Sequence, residues 1–139
     1  MNSPHTVKNP RERLIIALDY PDAAQALACA RALSGEVSFF KIGLQLYTAE
    51  GPEIVRAIMD TGAKEFLDLK LRGIPNTVAK AVAAASQLGA SMLTLHLSGG
   101  REMIAAAVAA SPPSLLLLGV TVLTSSNAAT LNEIGIHES

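Results

Sequence analysis

Short, almost continuously apolar runs recur along the chain and alternate with amphipathic or alanine-rich segments. Runs of this length and composition are typical of strands buried in a parallel sheet, because helices then cover the sheet. The pattern predicts strands at Arg13–Asp19, Val37–Leu44, Glu65–Leu71, Ser91–Leu97 and Leu115–Thr124. A predicted helix follows each strand, so the chain is expected to be an α/β protein.

Turn residues delimit these helices. The predicted helices are one that follows Pro21-Asp22 and stops near Gly35, then Gly51–Thr61, Thr77–Leu88 with Asn76 as N-cap, Arg101–Ala110, and a short one capped by Ser126 or Asn127 that ends by Gly135. Successive units begin every ~25 residues, the spacing of a (β/α)8 TIM barrel of about 250 residues. About five units of such a barrel are therefore predicted. An open doubly wound sheet is the alternative, but no Gly-x-Gly-x-x-Gly motif follows the first strand.

Composition narrows the class of protein. With 139 residues, 50% hydrophobic and 17% charged, the chain is globular and long enough for one modest core. We expect a polar tail over residues 1–12 and one domain over residues 13–139. A net charge of −1 gives no electrostatic reason to expect nucleic acid as a partner. We also expect a cytoplasmic location, since Met1–Pro10 has no apolar signal segment and no run is long enough to span a membrane.

Cysteine and histidine are too sparse for a disulfide framework or a metal centre. Cys29 is the only cysteine, and it is expected to pack as a small apolar group on a helix. His5, His96 and His137 are far apart in the sequence. No Cys/His ligand set is present, so a metal site is not predicted.

Polar side chains collect at or near the carboxyl ends of the predicted strands. They are Asp19, Lys41, Asp68, Lys70, His96, Ser98 and Thr124. In a (β/α)8 barrel these ends form the catalytic face. Asp68 and Lys70 lie two residues apart and so share a face of a regular strand, with Leu67, Leu69 and Leu71 on the other. This grouping predicts an active-site rim, although a structural ion pair at a strand end is the alternative.

Four motifs resemble those of the bacterial orotidine 5′-phosphate decarboxylases. They are FKIGLQLY at residues 40–47, FLDLK at 66–70, IPNTV at 74–78 and VTVLTS at 120–125. The likeness runs in order from about Arg13 to the end of the chain. It implies a dimeric (β/α)8 barrel that uses neither metal nor organic cofactor. Such enzymes convert orotidine 5′-phosphate to UMP and carbon dioxide in de novo pyrimidine synthesis.

The resemblance also implies roles for the rim residues. Asp19 would bind the ribose, unless it only caps a helix, and Lys41 would contact the ribose and the catalytic carboxylates. Asp68 is the expected ionic partner of Lys41, since a lysine in an apolar strand is rarely buried unpaired. Asp68 would also lie near the substrate carboxylate, and Lys70 would protonate C6 as carbon dioxide leaves. An ammonium suits that role because a fixed positive charge in a dry site stabilises a developing carbanion.

Weaker assignments follow from the same likeness. Ile74 and Thr77 would reach across a dimer interface into the neighbouring site, and Thr124 would contact the pyrimidine. Thr77 could instead be an ordinary first-turn residue, and Thr124 an ordinary strand-end hydroxyl. Thr94, His96 and Ser98 alternate on the polar face of the fourth strand. We expect His96 to be a hydrogen-bonded structural histidine.

Two departures set the chain apart from the family pattern. Gly73 stands where the family has a second aspartate, which is supplied to the partner subunit, and Arg72 stands where histidine is common. The loops that bind the phosphate follow the seventh and eighth strands, which are absent here. Three hypotheses stay open. The chain is the N-terminal portion of a decarboxylase, an inactive barrel fragment with a structural or assembling role, or a sugar-phosphate decarboxylase or aldolase on the same scaffold.

Overall fold

A parallel five-stranded sheet forms the centre of the structure, a computed structural model that describes residues 9–137. The strands are β1 (Ile15–Ala17), β2 (Phe39–Gly43), β3 (Lys64–Leu71), β4 (Met92–His96) and β5 (Leu116–Val120), and they pair in the order of the sequence. All four pairings are parallel. The prediction of five consecutive β/α units is confirmed.

Within residues 9–137, six α-helices connect or follow the strands. They are α1 (Ala23–Ala32), α2 (Leu44–Glu50), α3 (Glu53–Met59), α4 (Pro75–Gln87), α5 (Arg101–Ala110) and α6 (Ala128–Glu133). When parallel neighbours follow one another in sequence, right-handed crossovers bring the connecting helices to one face of the sheet. The other face becomes the interior when such a sheet closes into a barrel.

The core lies between the sheet and its helices. Ile42 and Leu67 from the sheet are fully buried with Ile58 of α3 and Val82 of α4. Burial of each such side chain contributes roughly 1.5–3 kcal/mol to folding. This packing fixes the strands, so the side chains at their carboxyl ends have defined positions.

The structure corrects the predicted end of the second strand. Leu44 was expected to end that strand, but it begins α2, a helix that the sequence analysis did not predict. Gly43 is extended and serves as N-cap, and Gly51 ends the helix with a φ of 67°. Because β-branched and other side chains rarely adopt positive φ, glycine at that position allows the chain to leave α2 and enter α3.

The predicted caps were right for α6 and wrong for α4. Asn127 caps α6, and its side chain accepts a hydrogen bond from the N–H of Thr130 at 3.0 Å. The N-cap of α4 is Ile74 rather than Asn76, and Pro75 occupies the first helical position. Proline fits there because its fixed φ is helical and its missing N–H would have no partner within the helix.

The end of β5 and the predicted N-terminal tail also differ from the prediction. β5 stops at Val120 instead of Thr124, so residues 121–127 form an exposed turn before α6. At the end of the predicted polar tail, Pro10–Arg13 form a 3-10 helix, and Glu12 pairs with Lys64 of β3 at 2.8 Å. Residues 1–8 of that tail lie outside the described residues. Between residues 9 and 137, no helix is both long and apolar enough to cross a membrane.

Candidate active site

A bulge at the carboxyl end of β3 shapes the candidate site. Leu67 pairs with Leu93, and the next pair is Leu71 with Leu95, so residues 68–70 lie opposite the single residue Thr94. Lys70 adopts a φ of 50°, which is uncommon for any residue but glycine. The prediction of strict alternation through Leu69 and Leu71 is therefore wrong here, because a bulge breaks the two-residue period and re-aims side chains.

Four predicted site residues meet at this bulge. Lys70 donates a hydrogen bond from Nζ to Oδ1 of Asp68 at 2.8 Å. Lys41 places its Nζ 3.6 Å from Oδ2 of Asp68 and 3.4 Å from Oδ1 of Asp19. The expected pairing of Lys41 with Asp68 is confirmed. The result is a row of alternating charges, Asp19–Lys41–Asp68–Lys70, across the ends of β1, β2 and β3.

Asp68 is the centre of this row. Burial on its own would raise the pKa of the Asp68 carboxyl, since only 16% of the side chain is exposed. Hydrogen bonds from Lys70 and Thr94, together with the charges of Lys70 and Lys41, outweigh that effect and lower the pKa below its ordinary value. Asp68 is therefore a carboxylate at neutral pH, with both oxygens facing cationic groups.

Thr94 contacts both Asp68 and Lys70, which its position in the sequence did not predict. Its residue is only 5% exposed, and its hydroxyl donates to Oδ1 of Asp68 at 2.9 Å. The hydroxyl oxygen of Thr94 in turn accepts a hydrogen bond from the backbone N–H of Lys70 at 2.9 Å. Alternation had placed Thr94 on the polar face of its strand, but its contact with Lys70 depends on a bulge that composition does not reveal.

His96 and Ser98 lie apart from the charged row. Together with Arg72 they line a cavity of about 260 Å3 whose other walls include apolar residues of the β5–α6 turn and α6. His96 makes no side-chain hydrogen bond to any residue between 9 and 137, so the hydrogen-bonded role expected for it is not found. Thr124 is exposed in the turn after β5 and has no hydrogen bond to the charged row within the same range.

The loop between β3 and α4 presents its side chains to solvent. Ile74 is 71% exposed, and Thr77 in the first turn of α4 is also exposed. Gly73 precedes them, and a Cβ built on it would lie 3.6 Å from Cγ2 of Val78, an ordinary contact. The loop therefore has room for a side chain at Gly73. Among the described residues, no three His, Cys, Asp or Glu side chains are grouped closely enough to hold a metal ion.

Comparisons with known proteins show which family the chain belongs to. The family model described as "Orotidine 5'-phosphate decarboxylase / HUMPS family" matches residues 12–138. An orotidine 5'-phosphate decarboxylase from Opitutus terrae is 53% identical over 129 residues, which cover 91% of this chain and 56% of that protein. This chain thus spans little more than half the length of that relative.

Solved structures show the same relationship. The crystal structure of orotidine 5'-phosphate decarboxylase from Lactobacillus acidophilus superposes with a TM-score of 0.77 at 35% identity, covering 88% of this chain and 58% of that one. The enzyme from Methanocaldococcus jannaschii, complexed with the inhibitor BMP, gives a TM-score of 0.65 at 26% identity, covering 70% and 45%. Because the family model matches nearly the whole chain, the chain belongs to the orotidine 5'-phosphate decarboxylase / HUMPS family.

Proposed function

We propose that this chain supplies the first five β/α units, and the charged row, of an orotidine 5′-phosphate decarboxylase. The observation that carries the proposal is the contact of Asp68 with two ammonium groups at the carboxyl ends of adjacent strands. That is the face on which barrel enzymes carry their catalytic groups. The relatives named as decarboxylases support the substrate, orotidine 5′-phosphate, and the product, UMP.

The charged row fits a direct decarboxylation. The bond between C6 and the carboxylate carbon breaks, carbon dioxide leaves, and the electron pair stays on C6. The ammonium of Lys70 stabilises that pair and then transfers a proton to C6, and the resulting amine regains a proton from water. Asp68 lies where it holds Lys70 in place and adds negative charge beside the substrate carboxylate. No redox step is required.

The remaining residues have binding roles in this proposal. Asp19 and Lys41 hold the ribose, and Thr124 contacts the pyrimidine. Ile74 and Thr77 act in the site of a second subunit, and their exposure on the β3–α4 loop supports this arrangement. The protein would then be a homodimer with shared active sites. A cytoplasmic location stays a prediction.

Replacement of Lys70 tests the proposal directly. The purified protein, with its chain length established by intact mass, is assayed for loss of orotidine 5′-phosphate and release of carbon dioxide. We expect Lys70→Ala to lower kcat by at least about 10³-fold, because it removes both the proton and the charge at C6. Lys64→Ala is the matched control, since Lys64 lies at the other end of the same strand and pairs with Glu12. Equal losses in the two variants would contradict the proposal.

Gly73 favours an inactive or assembling barrel fragment as the second candidate. In that case neither the parent protein nor Lys64→Ala turns over orotidine 5′-phosphate, while the fold and its oligomers persist in sedimentation experiments. Turnover of a sugar phosphate instead of the nucleotide would identify the third candidate, a relative on the same scaffold. Each outcome differs from the one expected for the decarboxylase.

A further inference from the structure

Lys70 lies outside the regular hydrogen-bond ladders of the sheet. β2 pairs with β3 only as far as Gly43 and Asp68, and the pairing of β3 with β4 skips from Leu67 to Leu71. A backbone N–H left buried without an acceptor costs about 1–3 kcal/mol. The φ of 50° at Lys70 adds a cost on the order of 1–3 kcal/mol, which the surroundings must offset.

The hydroxyl oxygen of Thr94 accepts the backbone N–H of Lys70 and also orients the carboxylate of Asp68. A hydroxyl has one donor and two acceptor positions. The N–H of Lys70 occupies an acceptor position of Oγ1 at 2.9 Å, so the hydroxyl proton can be donated to Oδ1 of Asp68, also at 2.9 Å. The same Oδ1 accepts a hydrogen bond from Nζ of Lys70 at 2.8 Å. Backbone, carboxylate and ammonium are thus linked in one closed ring of hydrogen bonds.

We propose that Thr94 is a positioning residue that holds Lys70 in its left-handed conformation and turns Asp68 toward the lysine ammonium. Thr94 acts through these two residues rather than on the substrate. Its burial excludes water, which would otherwise compete for both hydrogen bonds. The kinetic consequence rests on the proposed decarboxylase function, whereas the structural consequence does not.

The structural consequence is measured without substrate. Thr94→Val keeps the shape of the side chain and removes the hydroxyl, and Thr94→Ser keeps the hydroxyl and removes the methyl group. Carbon-13 NMR titration of the Asp68 carboxyl is expected to show a higher pKa in the valine variant, because one hydrogen bond to the charged form is lost. The serine variant is expected to keep the parent pKa. Thr48→Val, on the exposed surface of α2, is the matched control and should also leave this pKa unchanged.

The kinetic consequence is a change in kcat with little change in KM. Misplacement of a reacting group by about 1 Å can cost about 100-fold in rate. We therefore expect Thr94→Val to lower kcat by about ten- to hundredfold and to change KM by less than about twofold, with recovery in Thr94→Ser. If the enzyme has no decarboxylase activity at all, the proposed function fails while the Asp68 titration still decides the role of Thr94.

Amide hydrogen exchange tests the proposal in the parent protein, without any substitution. In the parent protein the amide of Lys70 is expected to exchange as slowly as its neighbours within β3, because Thr94 accepts its hydrogen. Rapid exchange at Lys70 beside slow exchange at Leu67 would overturn the proposal. A folded Thr94→Val variant with the parent pKa at Asp68 would overturn it as well.

Discussion

Two carboxyl groups on the same strand, three residues apart, have opposite environments. Glu65 has no exposed surface, and neither of its side-chain oxygens has a hydrogen-bond partner among residues 9–137. Asp68 is only partly buried, with 16% of its side chain exposed, and it receives hydrogen bonds from Lys70 and Thr94 and faces Lys41. Burial raises the pKa of Glu65 to about 9, whereas the partners of Asp68 lower its pKa despite burial.

The difference shows that burial without a partner keeps an acid neutral, whereas cationic and hydrogen-bonding partners keep a partly buried acid charged. Glu65 lies near the start of β3 and shares the fully buried, helix-facing side with Leu67. It is therefore neutral at pH 7. Asp68 lies at the bulge, where the strand opens toward two lysines, and remains ionised. Only the second environment can hold a cation in place for chemistry at neutral pH.

A second carboxylate beside Asp68 should have a large effect on the rate. Gly73→Asp is expected to raise decarboxylation by at least about 100-fold, with little change in nucleotide binding, if the rest of the barrel is present. The added charge would help hold Lys70 toward C6 and would crowd the leaving carboxylate, so it acts mainly in the transition state. The backbone permits the change, because Gly73 does not have a positive φ and its Cβ position is open. Steady-state kinetics of both proteins measure the effect.

Mixed dimers show whether this aspartate acts on the partner subunit. A chain carrying both Gly73→Asp and Lys70→Ala is inactive by itself but should regain activity when mixed with the parent chain. The mixed dimer then contains one site with both Lys70 and the new aspartate. Gly73→Ser, which fills the same space without charge, is the control. A parent protein as fast as its Gly73→Asp variant would show that the second carboxylate is not needed here.

The sequence predicted the architecture and the charged row because both depend on local patterns. Apolar runs between helices specified the strands, and the carboxyl end of each strand specified the positions of Asp19, Lys41 and Asp68. The bulge was not predictable, because it depends on how β3 pairs with β4 rather than on its own alternation. For the same reason the contact of Thr94 with Lys70 was missed. The roles of the site residues in catalysis stay predictions.

The burial of Glu65 was not predictable either, because a single acidic residue in a strand does not indicate which side chains surround it. Its expected effect is on stability rather than on rate. Its pKa is about 9 in the folded protein against an ordinary 4.5, so the folded state holds the proton more tightly than the unfolded state does. The stabilisation is complete below about pH 4.5 and is lost as the pH rises to about 9. The loss over that range is at most on the order of 6 kcal/mol.

Substitutions at Glu65 separate titration from burial. Glu65→Gln should remove most of the fall in the free energy of unfolding between pH 5 and pH 9. Glu65→Leu should also remove most of this pH dependence. It should raise the free energy of unfolding at pH 7 by about 1–3 kcal/mol, because no unpartnered polar group is then buried. Denaturant unfolding at several pH values measures both. Glu53→Gln, at an exposed position, should change stability by less than about 0.5 kcal/mol. A parent protein with flat stability over this range would contradict the assignment of Glu65 as a buried neutral acid.

Asp68 should have the opposite pH dependence and the smallest effect. Because the folded-state pKa is below the ordinary value, its contribution is present above the unfolded pKa and is lost as the pH falls through the folded pKa. The Glu65→Gln background exposes this contribution, which would otherwise be hidden by the larger one. Adding Asp68→Asn to that background should flatten the acid limb by on the order of 1 kcal/mol, since a neutral amide no longer gains from the two lysines. Asp60→Asn, an exposed aspartate at the end of α3, should leave the acid limb unchanged. If both asparagine variants flatten it equally, the acid dependence is a general surface effect, and the contrast between Glu65 and Asp68 does not extend to stability.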